Sequence, residues 1–185
     1  MLYMRVMIRP YDSGWPGAFE RVRAGLEAAL DDLVGLRIEH VGSTAVPGLA
    51  AKPVLDIDVV VPPGSMTVAI AALTTAGYRD QGEQGIPGRH ALGAPQDGVV
   101  RHVYVCVEGC LALRNHLAVR AVLRAGPMLR AEYQNVKLTL GDREIADIDE
   151  YISGKAAVLQ RILQRAGVSD SELAEIARMN PLKRA

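Results

Sequence analysis

Runs of apolar residues with strand character occur in the first 110 residues of the chain. Three runs are rich in β-branched residues and are bounded by glycine, proline or polar positions, which is typical of strands: residues 37–41, 54–61 and 99–107. Two weaker strands are expected near residues 78–79 and 89–92. Apolar positions at helical spacing predict a helix over residues 16–33 and a second over residues 65–76, which Gly77 ends.

The pattern becomes almost continuously helical after residue 111. Helices are predicted over residues 112–124, 127–140 and 145–166, and a short tail helix is expected after the capping residue Ser169. These elements predict a fold of the α/β (α+β) class, a small mixed sheet flanked by helices with a helical C-terminal part. With 185 residues, 49% of them apolar, the chain fits one domain over residues 1–185, with a sheet core at 1–110 and a helical part at 111–185.

The composition limits the classes of ligand that the chain is expected to bind. Its 21 basic and 21 acidic residues give a formal net charge of zero, so no extended nucleic-acid surface is expected. A single Trp and a single Phe argue against an aromatic platform for stacking bases. Neither a signal peptide nor a membrane span is visible, so we expect a cytoplasmic protein without membrane contact. The oligomeric state stays open.

Two cysteines, Cys106 and Cys110, are present in the sequence. They are too few and wrongly spaced for a zinc site. We expect them to be reduced thiols, and a disulfide between them stays open.

An Asp-x-Asp pair lies inside the apolar run at residues 54–61. Because successive side chains of a strand point to opposite faces, Asp56 and Asp58 are predicted to share one face and the aliphatic residues between them the other. Two neighbouring carboxylates repel, and their burial without partners is costly. A divalent cation or a basic ligand would relieve that cost. An exposed strand edge or a salt-bridged pair is the alternative.

A Gly-Ser turn precedes this pair by about a dozen residues. Gly42 permits a tight backbone, and Ser43 adds a hydroxyl where free N–H groups can collect, which suits phosphate. Either motif alone is usually structural. The two together, with Lys52 between them, favour a phosphate and metal site.

Two lysines in the helical part lie on apolar helix stripes. Lys137 follows Tyr133 by four residues, and Lys155 follows Ile152 by three, so both are expected to face the sheet. We predict that they bind nucleotide phosphates in the cleft that holds Ser43 and Asp58, together with Lys52 and Arg120. The alternative is that their long side chains only snorkel at the edge of the core.

The run His40-Val41-Gly42-Ser43-Thr44-Ala45-Val46-Pro47-Gly48-Leu49-Ala50-Ala51-Lys52-Pro53, followed by Asp56-Ile57-Asp58, resembles the signature of the GrpB family. The resemblance extends over nearly the whole chain, although its later motifs are weaker. It implies a nucleotidyltransferase-like fold, and in some proteins this domain is fused to dephospho-coenzyme A kinase.

Two departures from the related pattern bear on catalysis. The nucleotidyltransferase superfamily usually has a third carboxylate on a later strand, where His102 stands in this chain, and Tyr104 replaces the second histidine of a His-x-His pattern. The helix that follows has Val119-Arg120-Ala121-Val122-Leu123-Arg124 where the family tends to have Phe-Arg-Asp-Tyr-Leu-Arg. His102 is therefore expected to act as a base or a phosphate donor, or to be a structural histidine of the sheet.

Two principal functions follow from these residues. The first is Mg²⁺-dependent (or Mn²⁺-dependent) transfer of a nucleotidyl group to a small-molecule acceptor, with Asp56 and Asp58 as metal ligands and, together with His102, as catalytic residues. The second is a non-catalytic module that binds a nucleotide or another phosphometabolite, and the resemblance implies a link to coenzyme A metabolism. A pure interaction domain is a third possibility, but it leaves the paired acids and the inward lysines unexplained.

Overall fold

The computed structural model describes residues 5–179 of the chain. This part forms five strands: β1 (Arg37–Val41), β2 (Leu55–Val61), β3 (Arg79–Asp80), β4 (Arg89–Gly93) and β5 (Arg101–Val107). It also forms seven α-helices: α1 (Trp15–Ala29), α2 (Met66–Thr75), α3 (Leu111–Ala125), α4 (Pro127–Gly141), α5 (Ile148–Gly154), α6 (Ala156–Arg165) and α7 (Asp170–Met179). The predicted α/β fold class is confirmed. Among these helices, none is both long and apolar enough to cross a membrane.

The strands form a mixed sheet in the order β1-β2-β5-β4-β3. Strands β2 and β5 are parallel, and the other neighbouring pairs are antiparallel. Strand β2 therefore has a partner on each side. In its register Asp56 lies opposite His102 and Asp58 lies opposite Tyr104, which confirms that both acids share one face of an inner strand.

The other face of the sheet carries the main apolar core. The odd-numbered residues of β2, from Leu55 to Val61, are buried there with Val103 and Val105 of β5. Helices α1 and α2 cover this face, for example through Leu26 and Leu73. The alternation of aliphatic and acidic residues in β2 thus separates the core from the polar face.

Helices α3, α4 and α6 pack on the segment that follows β1. Val46 and Leu49 of this segment are fully buried against Leu123, Tyr133 and Ile162 of the three helices. This apolar contact fixes the helical part relative to the turn between β1 and β2. It brings one face of α4 close to that turn.

The single helix predicted over residues 145–166 is wrong, because the chain divides into α5 and α6 at Lys155. The Lys155 N–H bonds to the carbonyl of Ile152, three residues back, which tightens the last turn of α5. The division lets the two halves reach different apolar groups. Tyr151 of α5 packs with Leu140, whereas α6 packs on the segment after β1.

The first helix ends earlier than the predicted residue 33. Helix α1 ends at Ala29, and Leu30 leaves the helical backbone with φ −120° and ψ 20°. Asp31 and Asp32 follow, and negative side chains at a helix C-terminus oppose the helix dipole. The chain then turns towards β1, so the apolar spacing that continues to Leu33 is a core contact rather than a helical turn.

A substitution of Gly154 tests the close contact between α5 and α4. A Cβ atom there would lie 2.6 Å from Cδ2 of the buried Leu140. We expect Gly154→Ala to lower the free energy of unfolding by about 1–3 kcal/mol, because overpacking outweighs the gain in helix propensity. Urea unfolding followed by circular dichroism measures this change.

Gly25→Ala in α1 is the matched control, since nothing lies within 4 Å of its added Cβ. We expect it to raise the free energy of unfolding by about 0.5–1 kcal/mol. Equal effects of the two substitutions would contradict the proposed contact.

Candidate functional site

A tight turn after β1 forms the floor of a cleft on the polar face of the sheet. Gly42 has a φ of +70°, a conformation that strains other residues. A Cβ atom on Gly42 would overlap the Asp56 carboxylate. Ser43 then begins a short 3-10 turn, Ser43–Ala45. Glycine is thus needed both for the backbone angle and for the close approach of Asp56.

The two aspartates of β2 differ in exposure and in partners. The Asp56 side chain is 33% exposed, and its Oδ1 lies 2.9 Å from Nδ1 of His102. The Asp58 side chain is fully buried, and its Oδ2 lies 2.8 Å from Nδ1 of His116 on α3. Within residues 5–179, Asp58 Oδ1 has no hydrogen-bond partner. Burying a carboxylate oxygen without a hydrogen-bond partner costs free energy, and a positively charged ligand at this atom would reduce that cost.

His116 is a site residue that the sequence reasoning missed. Burial lowers the pKa of its imidazole, but the hydrogen bond to Asp58 and the charges of Asp58 and Asp56 outweigh burial, so the pKa is raised overall. Helical spacing offered one signal, because His116 precedes Arg120 by one helical turn. The hydrogen bond from His116 therefore gives the buried Asp58 carboxylate one polar partner.

His102 stands at the more open end of the same face. Its side chain is 53% exposed, and it lies opposite Asp56 in the parallel register of β2 and β5. The bond between its Nδ1 and the Asp56 carboxylate leaves Nε2 available to another partner.

Lys137 of α4 joins the helical part to the turn. Its side chain is 1% exposed, and its ammonium group donates hydrogen bonds to Ser43 Oγ, at 3.1 Å, and to the carbonyl of Ala50. The same group lies 4.7 Å from the ring centroid of Tyr133. Burial, and secondarily the charge of Lys155, lowers the pKa of Lys137 to about 7.

Lys155 and Lys52 bring two more ammonium groups to the cleft. The Lys155 Nζ lies 4.3 Å from the ring centroid of Tyr151, and the Lys52 Nζ lies 6.0 Å from the same centroid. Burial, and secondarily the charge of Lys52, lowers the pKa of Lys155 to about 8. Position 155, at the junction of α5 and α6, thus points the lysine inwards.

These residues line one cavity of about 260 Å³. Its polar and charged members, among the residues that the structure describes, are Ser43, Lys52, Asp56, His102, Tyr133, Lys137, Tyr151 and Lys155. Three lysines therefore accompany one carboxylate in this part of the lining, whereas Asp58 is fully buried and is not among the lining residues. Such an excess of positive charge favours an anionic ligand.

Arg120 lies elsewhere, in a second cavity behind the turn. It donates hydrogen bonds to Glu39 Oε2, at 2.9 Å, and to the carbonyl of His40, at 2.6 Å. Arg124 similarly donates to the carbonyl of Ala45, at 2.7 Å. His40 Nε2 lies 3.0 Å from Thr44 Oγ1, and burial chiefly lowers the pKa of His40 to about 4. These contacts brace the turn from outside the first cavity.

Asp56 and Asp58 are the residues that could hold a divalent cation. In residues 5–179, no group of three or more His, Cys, Asp or Glu side chains is arranged to hold a metal ion. Magnesium in nucleotide sites commonly takes one or two carboxylates and completes its coordination with phosphate oxygens and water. The orphaned Asp58 Oδ1 beside the partly exposed Asp56 fits an ion of that kind, bound together with a phosphate ligand.

Comparison with known proteins identifies relatives over most of the chain. The model of the GrpB protein family matches residues 5–165. The UPF0157 protein SCO7215 of Streptomyces coelicolor is 35% identical, covering 90% of this chain and 87% of that protein. The crystal structure of the conserved protein GrpB from Enterococcus faecalis has a TM-score of 0.76 and 30% identity, covering 86% of this chain and 96% of that chain.

A weaker similarity is to the crystal structure of the Cid1 poly(U) polymerase. It has a TM-score of 0.41 and 16% identity, covering 71% of this chain and 44% of that chain. The match to the family model and the relatives of similar length establish the family. The chain belongs to the GrpB family.

Proposed function

We propose that this protein is a cytoplasmic, Mg²⁺-dependent nucleotidyltransferase that acts on a small-molecule acceptor. One observation carries the proposal: in the described part of the chain, three lysines and one carboxylate face a single cavity over a Gly-Ser turn. That charge balance suits the phosphates of a nucleotide accompanied by a divalent cation. A cavity of about 260 Å³ suits a small ligand.

The phosphate side of the proposed site consists of the turn and the lysines. Gly42 and Ser43 present backbone and hydroxyl groups, and Lys137 already donates to Ser43 Oγ. A phosphate beside Ser43 would be within reach of the same ammonium group. Lys52 and Lys155, which line the same cavity, would contribute further positive charge. Arg120 would act indirectly, because its bonds to Glu39 and to the His40 carbonyl hold the strand that enters the turn.

The acidic side of the proposed site consists of Asp56 and Asp58, which would hold Mg²⁺ or Mn²⁺. When bound, the cation would neutralise phosphate charge and align the acceptor hydroxyl with the scissile bond. His102 is oriented by Asp56 through Nδ1, so its Nε2 would accept the acceptor's proton or contact phosphate. His116 would hold Asp58 in place and share its charge.

A second candidate is a module that binds a nucleotide or a coenzyme A intermediate without catalysis. The position of His102 favours this candidate, because an anionic third ligand commonly bridges two metals in nucleotidyl transfer. Both candidates use the same phosphate site. Only product formation separates them.

The lysine pKa values predict how ligand binding depends on pH. In the ligand-free protein the pKa is about 7 for Lys137 and about 8 for Lys155, and a bound phosphate would raise both values. Binding would then take up protons between about pH 7 and pH 9. We expect the Kd for a nucleoside triphosphate with Mg²⁺ to rise at least about tenfold over that range. Isothermal titration calorimetry measures the Kd and the proton uptake.

Two variants control this measurement. Lys137→Met should weaken binding at pH 7 and flatten the pH dependence. Arg165→Met removes an exposed cation of α6 outside the cavity and should leave the profile unchanged. A wild-type Kd that is independent of pH would contradict the assignment of the lysines.

A substitution of Asp56 tests both the proposed metal site and the proposed reaction. Asp56→Asn should abolish the Mg²⁺ dependence of triphosphate binding and lower any pyrophosphate release by about 100-fold or more. It should change the free energy of unfolding by no more than about 1 kcal/mol, because the side chain is partly exposed. Pyrophosphate release over a panel of triphosphates and small hydroxyl or amine acceptors is the measurement.

Asp80→Asn is the matched control, since Asp80 is also a strand carboxylate bonded to a histidine, His90, but lies outside the cavity. Wild-type protein that binds triphosphate with Mg²⁺ but releases no pyrophosphate would favour the binding module. Binding that is indifferent to both Mg²⁺ and Asp56→Asn would contradict the metal site.

A further inference from the structure

Arg89 of β4 brings a further positive charge to the polar face of the sheet. It lies opposite Cys106 in the antiparallel register of β4 and β5, one pair of residues beyond Tyr104, so its side chain shares the face of the two aspartates. Its Nε atom is buried and has no hydrogen-bond partner within residues 5–179. Burying an N–H donor without a partner costs free energy, and a ligand that supplied an acceptor there would recover it.

The ring of Tyr104 holds the guanidinium group of Arg89. The Arg89 Cζ atom lies over this ring, 4.4 Å from its centroid, which is a favourable cation–π distance. The ring attracts the positive charge but offers no lone-pair acceptor to the N–H groups. The contact therefore positions the guanidinium group and leaves its hydrogen-bonding capacity unused.

The acidic residues that could pair with Arg89 have other partners. On the same face, Asp56 is bonded to His102 and Asp58 to His116. In the segment before β4, Glu83 accepts a hydrogen bond from the backbone N–H of Gly88 at 3.2 Å. Among the described residues, the charge of Arg89 is thus not compensated by an ion pair.

A row of aromatic rings leads from the lysine cavity towards Arg89. The Tyr104 ring centroid lies 6.5 Å from that of His102 and 6.1 Å from that of His116. His102 lines the lysine cavity, whereas Arg89 lines neither that cavity nor the one behind the turn. A ligand that extended from the lysine cavity past His102 would therefore meet Tyr104 and then Arg89.

We infer that Arg89, held on Tyr104, is a specificity-determining residue that binds a carboxylate or phosphate group of the acceptor. This inference rests on the proposed function, since it assigns the acceptor to the β4 side of the face. Guanidinium N–H groups match the paired oxygens of both anions. The lysines would then hold the nucleotide, and Arg89 would select an anionic acceptor.

Arginine side-chain NMR of ¹⁵N-labelled full-length protein tests the anion subsite without requiring turnover. The Nε–H signal of Arg89 is assigned by its loss in Arg89→Lys. We expect this signal to shift saturably when sodium phosphate or sodium acetate is added at constant ionic strength. The signal of Arg21, an exposed residue of α1 beyond the other face of the sheet, is the matched control and should not shift.

The two anions distinguish the two kinds of acceptor. A response to phosphate alone would assign a phosphorylated acceptor, and a response to acetate would assign an acceptor with a carboxylate. The absence of a saturable response to either anion, or an equal response of Arg21, would overturn the inference.

Pyrophosphate release separates a failure of this inference from a failure of the proposed function. With acceptors that differ only in an anionic group, we expect release to depend on that group. Arg89→Met should raise the KM for the anionic acceptor at least about tenfold and leave the KM for the triphosphate unchanged, because it removes charge-assisted hydrogen bonds to the acceptor alone. Arg21→Met should change neither value.

Release that is equally fast with neutral acceptors and indifferent to Arg89→Met would overturn the inference and leave the proposed transferase standing. No release with any acceptor, together with a saturable shift of the Arg89 signal, would contradict the proposed transferase and support Arg89 as an anion-binding residue.

Discussion

The buried ammonium group of Lys137 is the contact on which the candidate site depends. It comes from α4 and donates to Ser43 and to the carbonyl of Ala50, so it bonds the helical part to both ends of the segment that carries the turn. Taking a lysine out of water costs several kcal/mol unless its charge is compensated. Compensation here comes from neutral oxygens and an aromatic ring, while Lys155 adds repulsion. The cleft therefore has uncompensated positive charge, which a negatively charged ligand would neutralise.

The acidic side of the site, formed by Asp56 and Asp58, instead has uncompensated negative charge. Strand β2 turns its aliphatic residues to the core and its two aspartates to the polar face, as its period of two residues requires. Each aspartate is hydrogen-bonded to one histidine, and one oxygen of the buried Asp58 stays without a partner in the described part of the chain. A phosphate ligand with a divalent cation would satisfy both sides at once, which neither an anion nor a cation alone would do. That complementarity is the physical basis of the proposed function.

Local patterns in the sequence predicted the parts of the site that depend on local geometry. The shared face of Asp56 and Asp58 follows from strand alternation, and the inward direction of Lys137 follows from the spacing of α4. The division at Lys155 was missed because the two halves pack in different apolar clusters, which the helical spacing of residues 145–166 does not show. Likewise, His116 reaches Asp58 and Arg120 reaches Glu39 from positions 58 and 81 residues away along the chain. Only the packing of α3 on the sheet brings these groups together.

A crystal structure with a non-hydrolysable nucleoside triphosphate and Mn²⁺ tests the central claim most directly. We predict phosphate density over Gly42 and Ser43, within hydrogen-bond distance of the Lys137 ammonium group. We also predict an anomalous Mn²⁺ peak coordinated by Asp56 and by the free oxygen of Asp58. A nucleotide bound in the cavity behind the turn, or phosphates without a metal ion at these aspartates, would contradict the account.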